Sequence, residues 1–111
     1  VKLLNAKKAS IAPRKIRDYL LSPEHPVGHF KAAFFARLGF TAECWQELRT
    51  ELERVALQGQ AEIGERTEYG QKYIVRGTIR GTLGRRSQIL TVWIILHGEE
   101  IPRFVTAYPE H

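Results

Sequence analysis

The chain has 111 residues, 43% of them hydrophobic and 26% charged. That balance excludes a disordered chain, and a protein this long buries roughly 65% of its unfolded surface, enough for one core without staples. A single cysteine, Cys44, excludes an internal disulfide framework and a cysteine-based zinc site.

The longest apolar run, Val92 to Leu96, is far short of the roughly 20 residues that span a bilayer, so no membrane partner is expected. No secretory signal pattern opens the sequence, and a cytoplasmic setting is expected. The absence of methionine fits a lost start residue or a domain cut from a longer chain.

The formal net charge of +5 is distributed in blocks. Residues 1–40 hold eight cations and two anions, and residues 41–65 hold two and six. Residues 66–88 hold six and one, and residues 89–111 one and three. Segregated positive charge attracts phosphate backbones. A solvated basic surface is the simpler alternative.

Residues 2–12 read as irregular. Pro13 suits the first turn of a helix running to about Leu21, with Ile16, Leu20 and Leu21 inward. Ser22-Pro23 stops it, and Ser22 to Gly28 is a loop. A second helix is expected from His29 to Leu38, its apolar stripe formed by Phe30, Phe34 and Leu38 with Ala33 and Phe35 beside them. Gly39 closes it. Thr41 is the expected N-cap of a third helix over about 42–58, with Trp45, Leu48, Leu52, Val55 and Ala56 inward and Gly59 at its end.

From Gln60 the period becomes two. Ala61, Ile63 and Glu65 suggest a weak first strand. Residues 70–80 form a second, with Tyr73, Val75 and Ile79 on one face and Lys72, Ile74, Arg76, Thr78 and Arg80 on the other. Gly81 to Arg86 is a basic turn. Residues 88–96 are the strongest strand, apolar on both faces. A turn at 97–100 leads to a last strand over 101–107, where Pro102 suggests a start at an edge or a bulge.

The expected fold is α+β in a single domain: helices over about 13–58 packed on one face of a roughly four-stranded antiparallel meander over about 60–108. The uncovered face is expected to display Lys72, Arg76, Arg80, Thr91 and Trp93 as a cationic, aromatic cradle.

His25 and His29 flank Pro26-Val27-Gly28. Their spacing invites a metal site, but the proline and glycine prevent a shared helical face and no acid stands beside them, so no metal is expected. Loop packing and N-capping by an imidazole compete with a general acid or base role. Lys31 falls in the first turn of a helix, where a cation is electrostatically unfavourable. It is either a surface lysine or a phosphate ligand acting with the helix terminus.

Tyr69 and Trp93 are core rings or base-stacking platforms. Arg76, Arg80 and Arg103 match phosphate oxygens or pair across strands with acids such as Glu65. His97 and His111 are expected to face solvent, and Cys44 to pack rather than react. There is no phosphate-binding glycine loop, dinucleotide fingerprint or nucleophile elbow, and no cofactor is expected.

The segments Lys2 to Ala6, His25-Pro26-Val27-Gly28, Phe34 to Phe40, Thr67 to Tyr73, Thr91-Val92-Trp93 and Arg103 to Pro109 resemble a small bacterial domain-of-unknown-function family. That family occurs alone and as C-terminal domains of phage-related and polymorphic-toxin proteins. Its element order is similar to the barnase, EndoU, colicin and RelE class of metal-independent endoribonucleases. Where that family often has Gly-Pro-Asn-Gly in the central turn, this chain has Gly81-Thr82-Leu83-Gly84.

The resemblance implies an endoribonuclease toxin, held inactive by a small antitoxin or immunity protein and cutting tRNA or ribosomal RNA through attack of the 2′-OH. It implies His25 or His29 as base or acid, Lys31, Arg76 and Arg103 as phosphate cations, and Thr106 and Tyr69 as positioning donors. Lys72, Arg80 and Trp93 complete the expected RNA surface. The alternatives are a non-catalytic RNA-binding module and a protein-interaction domain whose basic face meets an acidic partner, with the acidic face of helix three (Glu43, Glu47, Glu51) as a second docking surface.

Overall fold

The computed structural model describes residues 2–110. His111 lies outside them. An irregular N-terminal segment contains a 3₁₀ turn, Ala6–Lys8, and leads into helix α1, Pro13–Lys15, which continues as a π-helical turn over Ile16–Leu20. Helix α2 spans His29–Arg37. A 3₁₀ turn at Ala42–Cys44 precedes helix α3, Trp45–Gln58. Four strands follow: β1 Gln60–Arg66, β2 Gly70–Arg80, β3 Arg86–Leu96 and β4 Arg103–Pro109. They pair antiparallel in the order β1-β2-β3-β4, a meander. The α+β architecture is therefore the expected one. Among the described residues no helix is long and apolar enough to cross a membrane.

α3 forms for the reason its spacing predicts. Leu48, Leu52, Val55 and Ala56 recur on one face and are all buried. They pack on Val75 and Ile79 of β2 and Ile89 and Trp93 of β3, while Ile16, Leu20, Phe35 and Phe40 close the core from the N-terminal side. Gly59 follows α3, and a Cβ there would lie 2.5 Å from the Arg76 carbonyl oxygen, so the chain can turn into β1 only without a side chain.

Two faces are assigned differently from the sequence expectation. α2 buries Ala32 and Phe35 together with the following Leu38, whereas Phe30 is 76% exposed. Six apolar residues in one short helix spell two adjacent stripes, and packing against the first helical segment selects one.

The second difference is larger. Thr91 and Trp93 are completely buried beneath the helices, and Leu90, Val92 and Ile94 lie on the uncovered face. The register decides this, since Val75 pairs with Thr91 and Tyr73 with Trp93. In a strand apolar on both faces, side-chain pattern cannot choose, and a one-residue shift inverts every position. Trp93 donates its Nε1–H to Thr91 Oγ1 (2.8 Å), and Thr91 donates to the Val75 carbonyl (2.7 Å), so the indole is satisfied inside the core.

Candidate functional site

β4 carries a bulge. Trp93 pairs with Phe104, Val92 with Thr106, and the register skips Val105 between them. Before the bulge, Phe104 points into the core and stacks edge-on with Trp93 at 5.3 Å. After it, Thr106 pairs with Val92 and Tyr108 with Leu90, both uncovered-face residues. The extra residue thus turns Thr106 and Tyr108 away from the core, the re-aiming that bulges produce beside functional sites.

The N-terminal helices meet this strand. The π turn is closed by the Leu21 N–H donating to the Ile16 carbonyl (2.9 Å), and it carries Tyr19 toward Thr106. Lys31, in the first turn of α2, extends to the same point. Its ammonium donates to the Tyr19 oxygen at 2.5 Å and to Thr106 Oγ1 at 2.8 Å, and those two oxygens are 3.1 Å apart. The Lys31 Nζ also lies 4.1 Å from the centre of the Tyr108 ring and 4.9 Å from that of Tyr19. A cation disfavoured by its own helix terminus is held by two oxygens and two π faces.

Burial raises the pKa of the Tyr19 phenol, but the hydrogen bonds from Lys31 and Thr106 and the charges of Lys31 and Lys15 outweigh it. The pKa falls below the usual tyrosine value. With Lys31 donating to both oxygens and Thr106 able to donate to Tyr19, the triangle is built to accept an anion at the phenol oxygen.

The cluster borders an open hollow of about 630 Å³. The hollow is lined by Arg14, Lys15, Asp18 and Tyr19 of the first helical segment, His25 and Val27 of the loop that follows, and Val105, Thr106 and Tyr108 of β4. His25 is fixed by its own loop. Its Nδ1 accepts the backbone N–H of Val27 (3.0 Å) and of Gly28 (2.9 Å), so the neutral ring carries its proton on Nε2. The ring packs edge-on against Tyr19 at 5.0 Å. Gly28 lets this loop close: a Cβ there would lie 2.2 Å from the Tyr19 carbonyl oxygen.

His25, Lys31 and Thr106 are therefore assembled, and the other expected site residues are not beside them. The His29 Nδ1 bonds the His25 carbonyl (2.8 Å), and its ring borders a different cleft with Ala33, Ala36 and Phe40. His25 lines the hollow beside Tyr19 and His29 a different cleft, so the two rings face separate hollows. Among the described residues no group of three His, Cys, Asp or Glu is arranged to hold a metal ion.

Arg103 is paired through its guanidinium with Glu99 (2.9 Å) and faces a separate hollow with Asn5 and Ser10. Arg76 is held between Glu62 (2.9 Å) and Glu110 (2.5 Å), which raise its pKa, and Lys72 lies 3.6 Å from Glu65. Tyr69 is exposed in the β1–β2 turn. Arg80 stands at the far end of β2. Trp93 is core and offers no stacking surface.

The uncovered sheet face is thus largely charge-neutralised around half-buried aliphatic residues, and the expected central cradle is not formed. Arg14, Lys15 and Lys31 gather at its β4 border. Tyr19 and Tyr108 are the members that sequence reasoning missed. Tyr108 lay in a quoted motif, but Tyr19 had no signal beyond being a polar ring beside the inward Leu20.

The family described as Domain of unknown function (DUF6883) matches residues 2–111. No curated protein matches the sequence. Among solved structures, a chain of a contact-dependent growth inhibition toxin–immunity protein complex from Klebsiella pneumoniae 342 is similar, with a TM-score of 0.70 at 14% identity. The alignment covers 96% of this chain and 97% of that one.

Proposed function

The chain belongs to the DUF6883 family, and we propose that it is a toxin domain acting as a metal-independent endoribonuclease at the Tyr19–Lys31–Thr106 cluster. The single observation that carries this reading is a tyrosine oxygen held by an ammonium and a hydroxyl at the border of a basic hollow. The fold likeness to a chain of a toxin–immunity complex supports the toxin part.

In the proposed reaction the 2′-OH of RNA gives its proton to the Tyr19 oxygen and attacks the adjacent phosphorus. The bond from phosphorus to the 5′-oxygen breaks, leaving a 2′,3′-cyclic phosphate. Lys31 and Thr106 stabilise the Tyr19 anion before the proton arrives. The His25 Nε2–H and the guanidinium of Arg14 face the charge that develops on the phosphorane oxygens. Lys15, which also lines the hollow, supplies the proton to the departing 5′-oxygen. His25 acts as a fixed hydrogen-bond donor, because its Nδ1 accepts the Val27 and Gly28 N–H groups and its Nε2 is left to face the hollow. Arg76 and Arg103, engaged by acids, are not needed in this scheme.

The substrate would be cytoplasmic tRNA or ribosomal RNA, and the natural inhibitor a small immunity protein. Val27, 63% exposed at the rim of the hollow, and nearby Phe30 give such an inhibitor apolar anchors. The test is incubation of purified protein with total tRNA and ribosomal RNA in EDTA. The expected products end in 2′,3′-cyclic phosphate and are lost with Lys31→Ala. Intact RNA with the wild-type protein, or equal cleavage by the variant, overturns the nuclease reading.

A further inference from the structure

Arg80 and Arg86 are the last cross-strand pair of the β2–β3 hairpin. Like charges directly opposed on one sheet face repel each other. Neither guanidinium has an ion pair among the described residues. A third arginine, Arg54 of α3, reaches the same place, donating to the Thr78 carbonyl at 2.9 Å. Arg54, Thr78, Arg80 and Arg86 line a shallow hollow of about 200 Å³.

The nearest carboxylate, Glu51, is already occupied. It accepts from Arg54 at 2.6 Å and from the Arg80 backbone N–H at 2.7 Å. The Arg54 Nε is buried with no hydrogen-bond acceptor. Three guanidiniums against one engaged carboxylate leave net positive charge, an Arg54 Nε–H without an acceptor, and on Arg80 and Arg86 two guanidiniums without an ion pair among the described residues. A multivalent oxyanion satisfies all three conditions, and the guanidinium fork matches phosphate.

We propose that this hollow is a second anion seat, which grips a backbone phosphate of the RNA substrate remote from the bond that is cut. This rests on the nuclease reading for its ligand. Thr106 pairs with Val92, six residues along β3 from Arg86, so the seat lies about 20 Å from the Tyr19 cluster at roughly 3.3 Å per residue. RNA engaging both points must extend several nucleotides beyond the scissile bond, whereas a dinucleotide reaches only one. The seat therefore selects for RNA of several nucleotides over dinucleotide fragments.

The experiment measures binding of tRNA to a Lys31→Ala background, with and without Arg80→Ala/Arg86→Ala, across a salt series. The double change is expected to weaken binding tenfold or more and to reduce the salt slope by about two, one counterion per arginine. With Lys31 intact, the same pair of changes is expected to leave cleavage of a dinucleoside monophosphate unchanged. Unaltered affinity and slope for tRNA overturn the seat, as does a wild-type chain that binds no tRNA. Normal tRNA binding that depends on the two arginines, without any cleavage, sustains the seat and sinks the nuclease chemistry instead. Weakened capture of an acidic protein with tRNA binding untouched assigns the hollow to a protein partner and rejects the RNA proposal.

Discussion

Lys31 has an unusual electrostatic position, since it opposes the positive end of its own helix and gains its compensation from β4 and from two phenol rings. Its removal is expected to act on chemistry more than on folding. Lys31→Ala should reduce RNA cleavage about a hundredfold or more, and Tyr19→Phe similarly, while thermal melting moves little. The pH dependence separates the two residues' roles. A phenol with a lowered pKa becomes anionic as pH rises through a value below that of free tyrosine, so the activity should rise along a limb below the ordinary tyrosine range. A conservative Thr106→Val change should shift that limb upward, because it removes one donor to the anion. A rate profile unchanged by that substitution would remove Tyr19 from the role of base.

In the core, Thr91→Val leaves the Trp93 Nε1–H without an acceptor and should cost about 1–3 kcal/mol. Trp93→Ala, which opens a cavity, should cost about 3–5 kcal/mol. Both are read from denaturant unfolding midpoints, and a small effect of Trp93→Ala would contradict its burial.

At the scale of elements, three junctions place the site. The bulge at Val105 rotates the end of β4, the π turn presents Tyr19, and the loop closed by His25 and Gly28 lies against that turn. Gly28→Ala forces a Cβ into the Tyr19 carbonyl and should abolish cleavage while leaving the sheet intact, as followed by circular dichroism.

A fourth junction ties α3 to the end of β2 through Glu51. Burial raises the pKa of its carboxyl, and the Arg54 side chain, the Arg80 N–H and both arginine charges more than reverse this, so it lies below the ordinary carboxylate value. A group depressed in the folded state stabilises at pH above its unfolded pKa and loses that contribution as pH falls through the folded value. Glu51→Gln should therefore be less stable by about 1 kcal/mol at neutral pH, with the difference vanishing in acid. A difference that persists at low pH would show that packing, not charge, is responsible.

Across the whole molecule, the helices cover one face of the meander and leave the other open, as the change from helical to alternating period after Gln60 foretells. Element order, the inward residues of α3 and the basic hairpin turn are local properties, carried by spacing, capping and turn residues, and they are legible without coordinates. Lys31 and His25 stand out for the same reason, as residues whose chemistry conflicts with or exceeds their local setting.

What only the tertiary structure decided is whatever depends on a register or a rotation. β3 is apolar on both sides, so its alternation could not say which side is covered, and pairing with β2 sent Trp93 inward. Whether Arg76 and Arg103 serve as phosphate ligands or as paired cations was open in the sequence, and folding settled it by bringing Glu62, Glu110 and Glu99 against them. Tyr19 and Thr106, 87 residues apart, meet only because a bulge and a π turn each shift the chain by a residue. Composition and period constrain one dimension. A convergence of side chains is a property of three, and it is set by irregularities that leave no repeat in the sequence.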